Sequence, residues 1–176
     1  SITMNMEFVK TKLDGVVLIK PETFEDFRGT YTETYNKELF AKNGINLDFV
    51  VDDYSVSSKH VLRGLHGDDR TWKLIDCKLG RFYFVVANAD PQSKQYGQWV
   101  SFTLSDANHW LVLVPPKFGN GHLALTDKII FHYKQSEYYN SDGQFTYRFD
   151  DPKFNIWWPI KDPILSQRDE AGHYVK

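Results

Sequence analysis

The stretch Arg63-Gly64-Leu65-His66-Gly67-Asp68, followed by Lys73 and Gly80, decides how this chain is read. Its pattern is Gly64-x-His66-x-Asp68, then Lys73, then Gly80. Arginine, histidine, aspartate and lysine so close together would be costly to bury for packing alone. A protonated lysine has three donors and no lone pair, so it cannot ligate a cation. A pocket built on these residues suits an anionic or carbonyl oxygen, with His66 as the proton-transfer group. Acid–base chemistry on a ketone fits the set better than metal chemistry. If the run from Val61 to Leu65 is a strand, alternation turns Arg63 and Leu65 away from His66 unless Gly64 introduces a bulge.

Around this stretch strand signals dominate. Val16 to Ile19, Thr30 to Tyr35, Phe82 to Ala87, Trp99 to Leu104, Trp110 to Val114 and Ile129 to Lys134 are short runs rich in β-branched and aromatic residues. Asp14-Gly15, Asp26 to Gly29, Asp90-Pro91, Pro115-Pro116 and Asn140 to Gly143 mark turns between them. The spacing predicts an antiparallel sandwich or barrel and not alternating βαβ units. Two short helices are expected, one over Lys37 to Asn43 and one after Ser166, where Ser166 can cap towards Asp169. No repeat, low-complexity tract or linker divides the sequence, so 1–176 reads as one all-β domain.

Length and charge narrow the function classes. A chain of 176 residues can bury a sizeable core. Net charge is −2, from 21 basic and 23 acidic residues, and no basic tract stands out, which argues against a nucleic-acid partner. Aromatic residues at 16% suit broad sheets and stacking surfaces. The single Cys77 rules out an intramolecular disulfide and fits a reducing compartment. No apolar run approaches the ~20 residues of a membrane helix, and no signal sequence opens the chain, so the expectation is a cytoplasmic protein without a membrane partner.

Further residues can carry chemistry. Phe131 and Tyr133 share one face of a strand, with His132 and Lys134 on the other. Taken alone, Tyr133 reads as a core tyrosine. Tyr138 and Tyr139 form either a stacking ledge for a base or a cover for the sheet end. Arg28, in Asp26-Phe27-Arg28-Gly29, and Arg63 are candidate phosphate contacts, because guanidinium forks match phosphate oxygens. Asp169 is too far from His66 in sequence for spacing to link the two. There is no glycine-rich phosphate loop, nucleophile elbow or cysteine nucleophile setting.

The stretch from Gly64 to Gly80 resembles the first motif of the cupin barrels, His-x-His, then Glu, then Gly, with Asp68 and Lys73 in place of the second His and the Glu. Pro115 to His122 resembles the second motif, with Asn120 where its histidine stands. The ligand positions thus read His66, Asp68, Lys73 and Asn120, a poor transition-metal site. The implied fold is a cupin-type jelly-roll barrel with a few short helices.

From about Gly15 to Asp169 the chain also resembles the dTDP-4-dehydrorhamnose 3,5-epimerases. The matching pieces are Asp26-x-Arg28-Gly29-x-Tyr31-x-Glu33, Asp52-x-x-Ser55-x-Ser57, Arg63-Gly64-Leu65-His66, Lys73-Leu74, Ser93-x-x-Tyr96-Gly97, Pro116-x-Phe118-Gly119, Tyr133-Lys134 with Tyr138-Tyr139, Asp151-Pro152, Ile156-x-Trp158-Pro159 and Leu165-Ser166-x-x-Asp169. The resemblance implies a homodimer with an exchanged N-terminal strand, a C-terminal segment of about 150–176 packed on the barrel, and no metal or other cofactor. It implies a nucleotide-linked 4-keto-6-deoxy sugar as substrate. His66 would be the general base, Asp169 its orienting partner, Tyr133 the acid on the opposite face and Lys73 the cation beside the enolate oxygen. Arg28 and Arg63 would lie near the diphosphate and Tyr139 near the nucleotide end, with Glu33, Asp68 and Asn120 as further substrate contacts.

Several family positions differ. His-Phe-Gln is His66-Gly67-Asp68 here, Ala-His-Gly-Phe is Gly119-Asn120-Gly121-His122, Gln-Asp-Asn is Val51-Asp52-Asp53, and an aspartate after Gly80 is replaced by Phe84. These departures are similar to the branch acting on GDP-linked 4-keto heptoses for capsular sugars. The expected activity is inversion at C3, C5 or both. Two alternatives stay open: a 3,4-ketoisomerase on a similar sugar nucleotide, and a non-catalytic sugar-nucleotide-binding cupin.

Overall fold

Strand-forming runs pair across long sequence separations into two antiparallel sheets, in a computed structural model that describes residues 5–173. The larger sheet has six strands in the order β1 (Met6–Lys10), β2 (Val17–Pro21), β10 (Leu111–Val114), β7 (Lys73–Leu79), β12 (Lys128–Gln135) and β5 (Val51–Ser58). The smaller has five: β13 (Phe145–Thr146), β6 (Leu62–Gly67), β11 (Phe118–Ala124), β8 (Arg81–Asn88) and β9 (Trp99–Ser105). A separate hairpin joins β3 (Thr23–Asp26) to β4 (Gly29–Thr32). This is the all-β jelly roll that the sequence leads one to expect, with two short helices.

Alternation along each strand builds the layers. Ile75 and Cys77 of β7, Ile129 and Phe131 of β12, and Val112 and Val114 of β10 face Phe82, Phe84 and Val86 of β8 across the space between the sheets. The outer face of the larger sheet buries Ile19, Leu74, Leu111 and Leu113 against α1 (Lys37–Lys42), which contributes Phe40. Asn36 caps α1 by accepting the Leu39 N–H (3.0 Å), and the helix stops at Asn43-Gly44, where Gly44 has φ +83°. The outer face of the smaller sheet packs Leu62, Leu65, Tyr83 and Val85 beneath the C-terminal segment, which supplies Phe154, Ile156 and Trp158. The Trp158 indole N–H donates to the Phe149 carbonyl (2.8 Å) and fixes that cover in place. The segment ends in α2 (Gln167–Glu170), capped by the Ser166 hydroxyl accepting the Asp169 N–H (3.1 Å), as its sequence indicates.

Some boundaries differ from expectation. The run Thr30 to Tyr35 leaves the ladder after Thr32, because Glu33 and Asn36 turn into the cap of α1 and hydrogen-bond to each other (3.1 Å). Trp110 lies just outside β10. Among the described residues, no helix is long and apolar enough to cross a membrane.

Candidate active site

Gly64 answers the question that alternation raises about β6. Arg63 and His66 both line the cavity between the sheets, while Leu62 and Leu65 pack on the outer face. Opposite them on β11, Asn120 pairs with His66 and His122 with Arg63, so the ladder slips at this point. Gly64 absorbs the slip at φ +127°, and a Cβ there would stand 2.5 Å from Gly121 Cα and 2.6 Å from the Asn120 carbonyl oxygen. The bulge therefore requires glycine and turns two neighbouring polar side chains inward.

The cavity holds about 540 Å³, the size of a small-ligand site. His66 reaches it from β6 of the smaller sheet and Tyr133 from β12 of the larger one. Behind His66 stands Asp169, 2% exposed, whose Oδ1 accepts from the histidine Nε2–H at 2.5 Å while Oδ2 accepts the Gly64 N–H at 3.2 Å. With Nε2 donating to a carboxylate, the imidazole lone pair sits on Nδ1. Burial opposes ionisation of Asp169, but the His66 hydrogen bond and charge, with the Gly64 and Ser166 contacts, outweigh it and hold the carboxyl below its usual range. Burial pushes the Tyr133 phenol up, Asp53 adds to the effect and Arg63 opposes it, so the hydroxyl keeps its proton.

Lys73 enters from β7, and its ammonium donates to Asn120 Oδ1 of the facing sheet at 3.4 Å. Burial lowers its pKa, which nearby Asp68 counteracts and Arg168 reinforces. Asp68 lines the cavity, but its Oδ1 also closes the turn after β6, accepting the Arg70 N–H (2.9 Å) and the Thr71 N–H (2.7 Å). Burial would raise the Asp68 pKa, yet those N–H groups and Lys73 hold it low. Arg63 is braced on β5 by its Nε–H to Ser57 Oγ (2.9 Å). His66, Asp68, Lys73 and Asn120 do not fit a metal ion: the lysine lacks a lone pair when protonated and the aspartate Oδ1 is occupied by the turn. Tyr138 and Tyr139, 74% and 85% exposed, stand at the mouth.

Two expected contacts are not part of this cavity within the chain. Arg28 lies on the β3–β4 hairpin, where Asp26 takes its guanidinium at 2.6 Å. Glu33 accepts from Asn36 at the entry to α1. Both positions belong to one motif, and among the described residues the hairpin that carries Arg28 pairs only with itself. Conversely, the cavity includes His122, Gln144 and Arg168, none of which the sequence reading selected. Arg168 directly precedes Asp169, and His122 shares the inward parity of Asn120, so neighbourhood and alternation were the signals for both.

A histidine backed by a buried carboxylate, a facing tyrosine and a lysine thus share one cavity between the two sheets of a cupin-type barrel. Matching over residues 10–176, the chain belongs to the dTDP-4-dehydrorhamnose 3,5-epimerase family, an isomerase family. It is 38% identical over 167 residues to dTDP-4-dehydrorhamnose 3,5-epimerase of Methanothermobacter thermautotrophicus, covering 92% of this chain and 90% of that protein. The dTDP-4-dehydrorhamnose 3-epimerase of Streptomyces niveus is 31% identical, with 90% and 78% covered. Among solved structures, the Bacillus anthracis 3,5-epimerase with TDP and PPi bound superposes with TM-score 0.93 at 33% identity, covering 97% of this chain and all (100%) of that one. The Legionella pneumophila 3,5-epimerase in complex with dTDP-4-keto-L-rhamnose gives 0.92 at 31% identity, covering 97% and 93%.

Proposed function

We propose that the protein epimerises a nucleotide-linked 4-keto-6-deoxy sugar by removing a proton beside the ketone and returning one from the other face. The observation that carries this reading is the position of His66 and Tyr133 on opposed sheets around one cavity. His66 Nδ1 takes the hydrogen from C3 or C5, and the C–H electron pair moves into the ring to leave an enolate with its charge on O4. The Lys73 ammonium, held towards Asn120, stabilises that oxygen in a pocket largely screened from water. Tyr133 then delivers its proton to the same carbon from the opposite side, and the configuration inverts. The substrate arrives already oxidised at C4, so the step needs no redox partner.

The names of the relatives support a dTDP-linked substrate. The GDP-4-keto-heptose expectation finds no support among them and rests only on the departures at Asp68, Phe84, Asn120 and His122. Arg63 and Arg168 supply positive charge suited to a diphosphate, and Tyr138 and Tyr139 suit a base at the mouth. A homodimer belongs to the same proposal: Phe27 at the β3–β4 tip is 98% exposed, and a second copy could cover it and bring Arg28 and Glu33 to a cavity. Light scattering at working concentration reads the mass, and a monomer that is fully active removes the dimer from the proposal.

The test is solvent deuterium uptake at C3 and C5 of dTDP- and GDP-linked 4-keto sugars, located by NMR. Wild type is expected to exchange and invert, His66→Asn to do neither, and Tyr133→Phe to exchange without inverting. A keto group found at C3 in the product would establish the ketoisomerase instead. Tight binding without any exchange would leave only the binding-module reading.

A further inference from the structure

The loop of residues 136–144 joins β12 to β13 and carries the exposed Tyr138 and Tyr139. It is fastened at both ends to one turn, residues 68–72, which links β6 to β7 and leads directly into Lys73. At its start the Ser136 N–H donates to the Trp72 carbonyl (3.0 Å), and Ser136 Oγ accepts the Trp72 N–H (2.9 Å). At its end Gly143, with φ +79°, comes so near the turn that a Cβ would stand 2.5 Å from Asp69 Oδ1. Next to it, Gln144 Nε2 donates to the Asn140 carbonyl (3.0 Å) and to Asp68 Oδ2 (3.3 Å). An amide nitrogen has two hydrogens, so these bonds use it fully. Asp68 is only 7% exposed and its Oδ1 is committed to the turn, which leaves Oδ2 for the loop. Both Asp68 and Gln144 line the cavity, so their bond belongs to its wall.

Returning the chain does not require this bond. Phe145 of β13 already pairs with Gly67 of β6, one residue ahead of Asp68, and the Asn140 carbonyl alone would fix the Gln144 amide within the loop. The carboxylate adds a tie from the loop to the turn, and a hydrogen bond to an ionised acceptor is roughly twice as strong as a neutral one. The same carboxylate favours the positive charge on Lys73, so one side chain acts on both the reacting end of the cavity and its mouth. We propose that Asp68 and Gln144 are a pair of positioning residues whose hydrogen bond seats the 136–144 loop, setting Tyr138 and Tyr139 to hold the nucleotide part of the substrate. This rests on the epimerase reading, which puts the nucleotide at the mouth, and adds to it what keeps that end of the site in shape. Neither residue gives or takes a proton in the steps above, so breaking the pair weakens binding more than it slows chemistry.

The experiment exchanges donor and acceptor. Gln144→Leu removes the donor, and Gln144→Glu sets two carboxylates against each other. Asp68→Asn combined with Gln144→Glu restores the pair with its roles reversed, keeps the net charge of wild type and leaves one amide oxygen to accept from the turn. Calorimetric titration with dTDP and with GDP reads binding, steady-state kinetics on the 4-keto sugar of the nucleotide that binds gives KM and kcat, and thermal midpoints follow the fold. Both Gln144 variants are expected to bind that nucleoside diphosphate about tenfold more weakly, the worth of one hydrogen bond, with KM raised by a similar factor and a smaller change in kcat. The double variant is expected to recover most of the binding. Single variants that bind as wild type does, or a double variant that recovers its melting temperature but not its binding, overturn the inference. If wild type binds a nucleoside diphosphate but epimerises no sugar, the epimerase reading has failed, and the binding comparison still decides the role of the pair. If wild type binds neither nucleotide, the mouth is not a nucleotide site and the inference falls with it.

Discussion

Asp169 does not border the cavity, yet replacing it should slow the reaction more than replacing many residues that do. In Asp169→Asn one carboxylate oxygen becomes an NH2 group, so the amide accepts from only one of the His66 Nε2–H (2.5 Å) and the Gly64 N–H (3.2 Å), and the arrangement that keeps the histidine bond gives up the one to Gly64. What also goes is the negative charge beside an imidazole that becomes positive as it takes the proton. Two unit charges about 4 Å apart attract by roughly 4 kcal/mol at an effective dielectric of 20, an upper limit for this pair. If half the charge has developed in the transition state, the loss is about 2 kcal/mol, and at about 1.4 kcal/mol per tenfold the rate falls roughly 30-fold. Full development takes the loss towards 1,000-fold by the same arithmetic, so kcat should fall by about 30- to 1,000-fold with little change in KM. Steady-state kinetics, with circular dichroism to check the fold, measure the effect. A variant within about threefold of wild type would refute the role of Asp169 as the partner that orients and supports the base.

Lys73→Met keeps the length and burial of the side chain but removes the charge proposed for the enolate oxygen; kcat should fall by about 100- to 1,000-fold, and retained activity in a steady-state assay would move the stabilising group elsewhere. His132, on the outer face of β12, bridges Asp76 through Nδ1 (2.6 Å) and Asp52 through Nε2, while Lys78 and Lys134 reach the same two carboxylates. The Asp76 hydrogen bond raises the His132 pKa against the opposing effect of burial. A raised folded pKa gives stability that is complete below the unfolded value of about 6.5 and lost as pH climbs through the folded one, so melting temperature should decline across that window. His132→Gln should flatten the decline, and the same slope in the variant and wild type would locate the proton linkage in another group.

How far the fold could be read depended on what each strand faces. β8, β9 and β12 are rich in aromatic and β-branched residues, and their runs announce them. β7, Lys73-Leu-Ile-Asp-Cys-Lys-Leu79, and β11, Phe118-Gly-Asn-Gly-His-Leu-Ala124, carry polar or glycine residues where other strands carry apolar ones. Lys73, Asn120 and His122 depart from a strand-like pattern because one stretch of each wall lines the cavity, whereas Asp76 and Lys78 belong to the ion-pair cluster around His132 on the outer face. On β11 the glycines also make room: a Cβ on Gly121 would touch Leu65 at 3.0 Å and Trp158 at 3.3 Å. The hairpin with Arg28 shows a different limit, since a motif fixes the identity of a residue and leaves its position to the rest of the assembly.

The site was less legible than the fold because its histidines differ only in partners that lie far away in sequence. His66 meets one carboxylate, 103 residues distant, and is left with a free lone pair beside a cavity. His132 sits between two carboxylates, 56 and 80 residues distant, and becomes a charged clamp across three strands. His122 meets no carboxylate in hydrogen-bond contact and lies among phenyl rings, which keep it neutral. Neighbouring residues could single out His66, because Arg63, Asp68 and Lys73 cluster around it in sequence. They could not separate His122 from His132: alternation assigns each to a face, but only the paired strands bring the aspartates to one and the aromatic rings to the other. The surroundings of each histidine are therefore a property of strand register, and a one-residue slip at β6 would turn His66 out of the cavity with every residue of the motif unchanged.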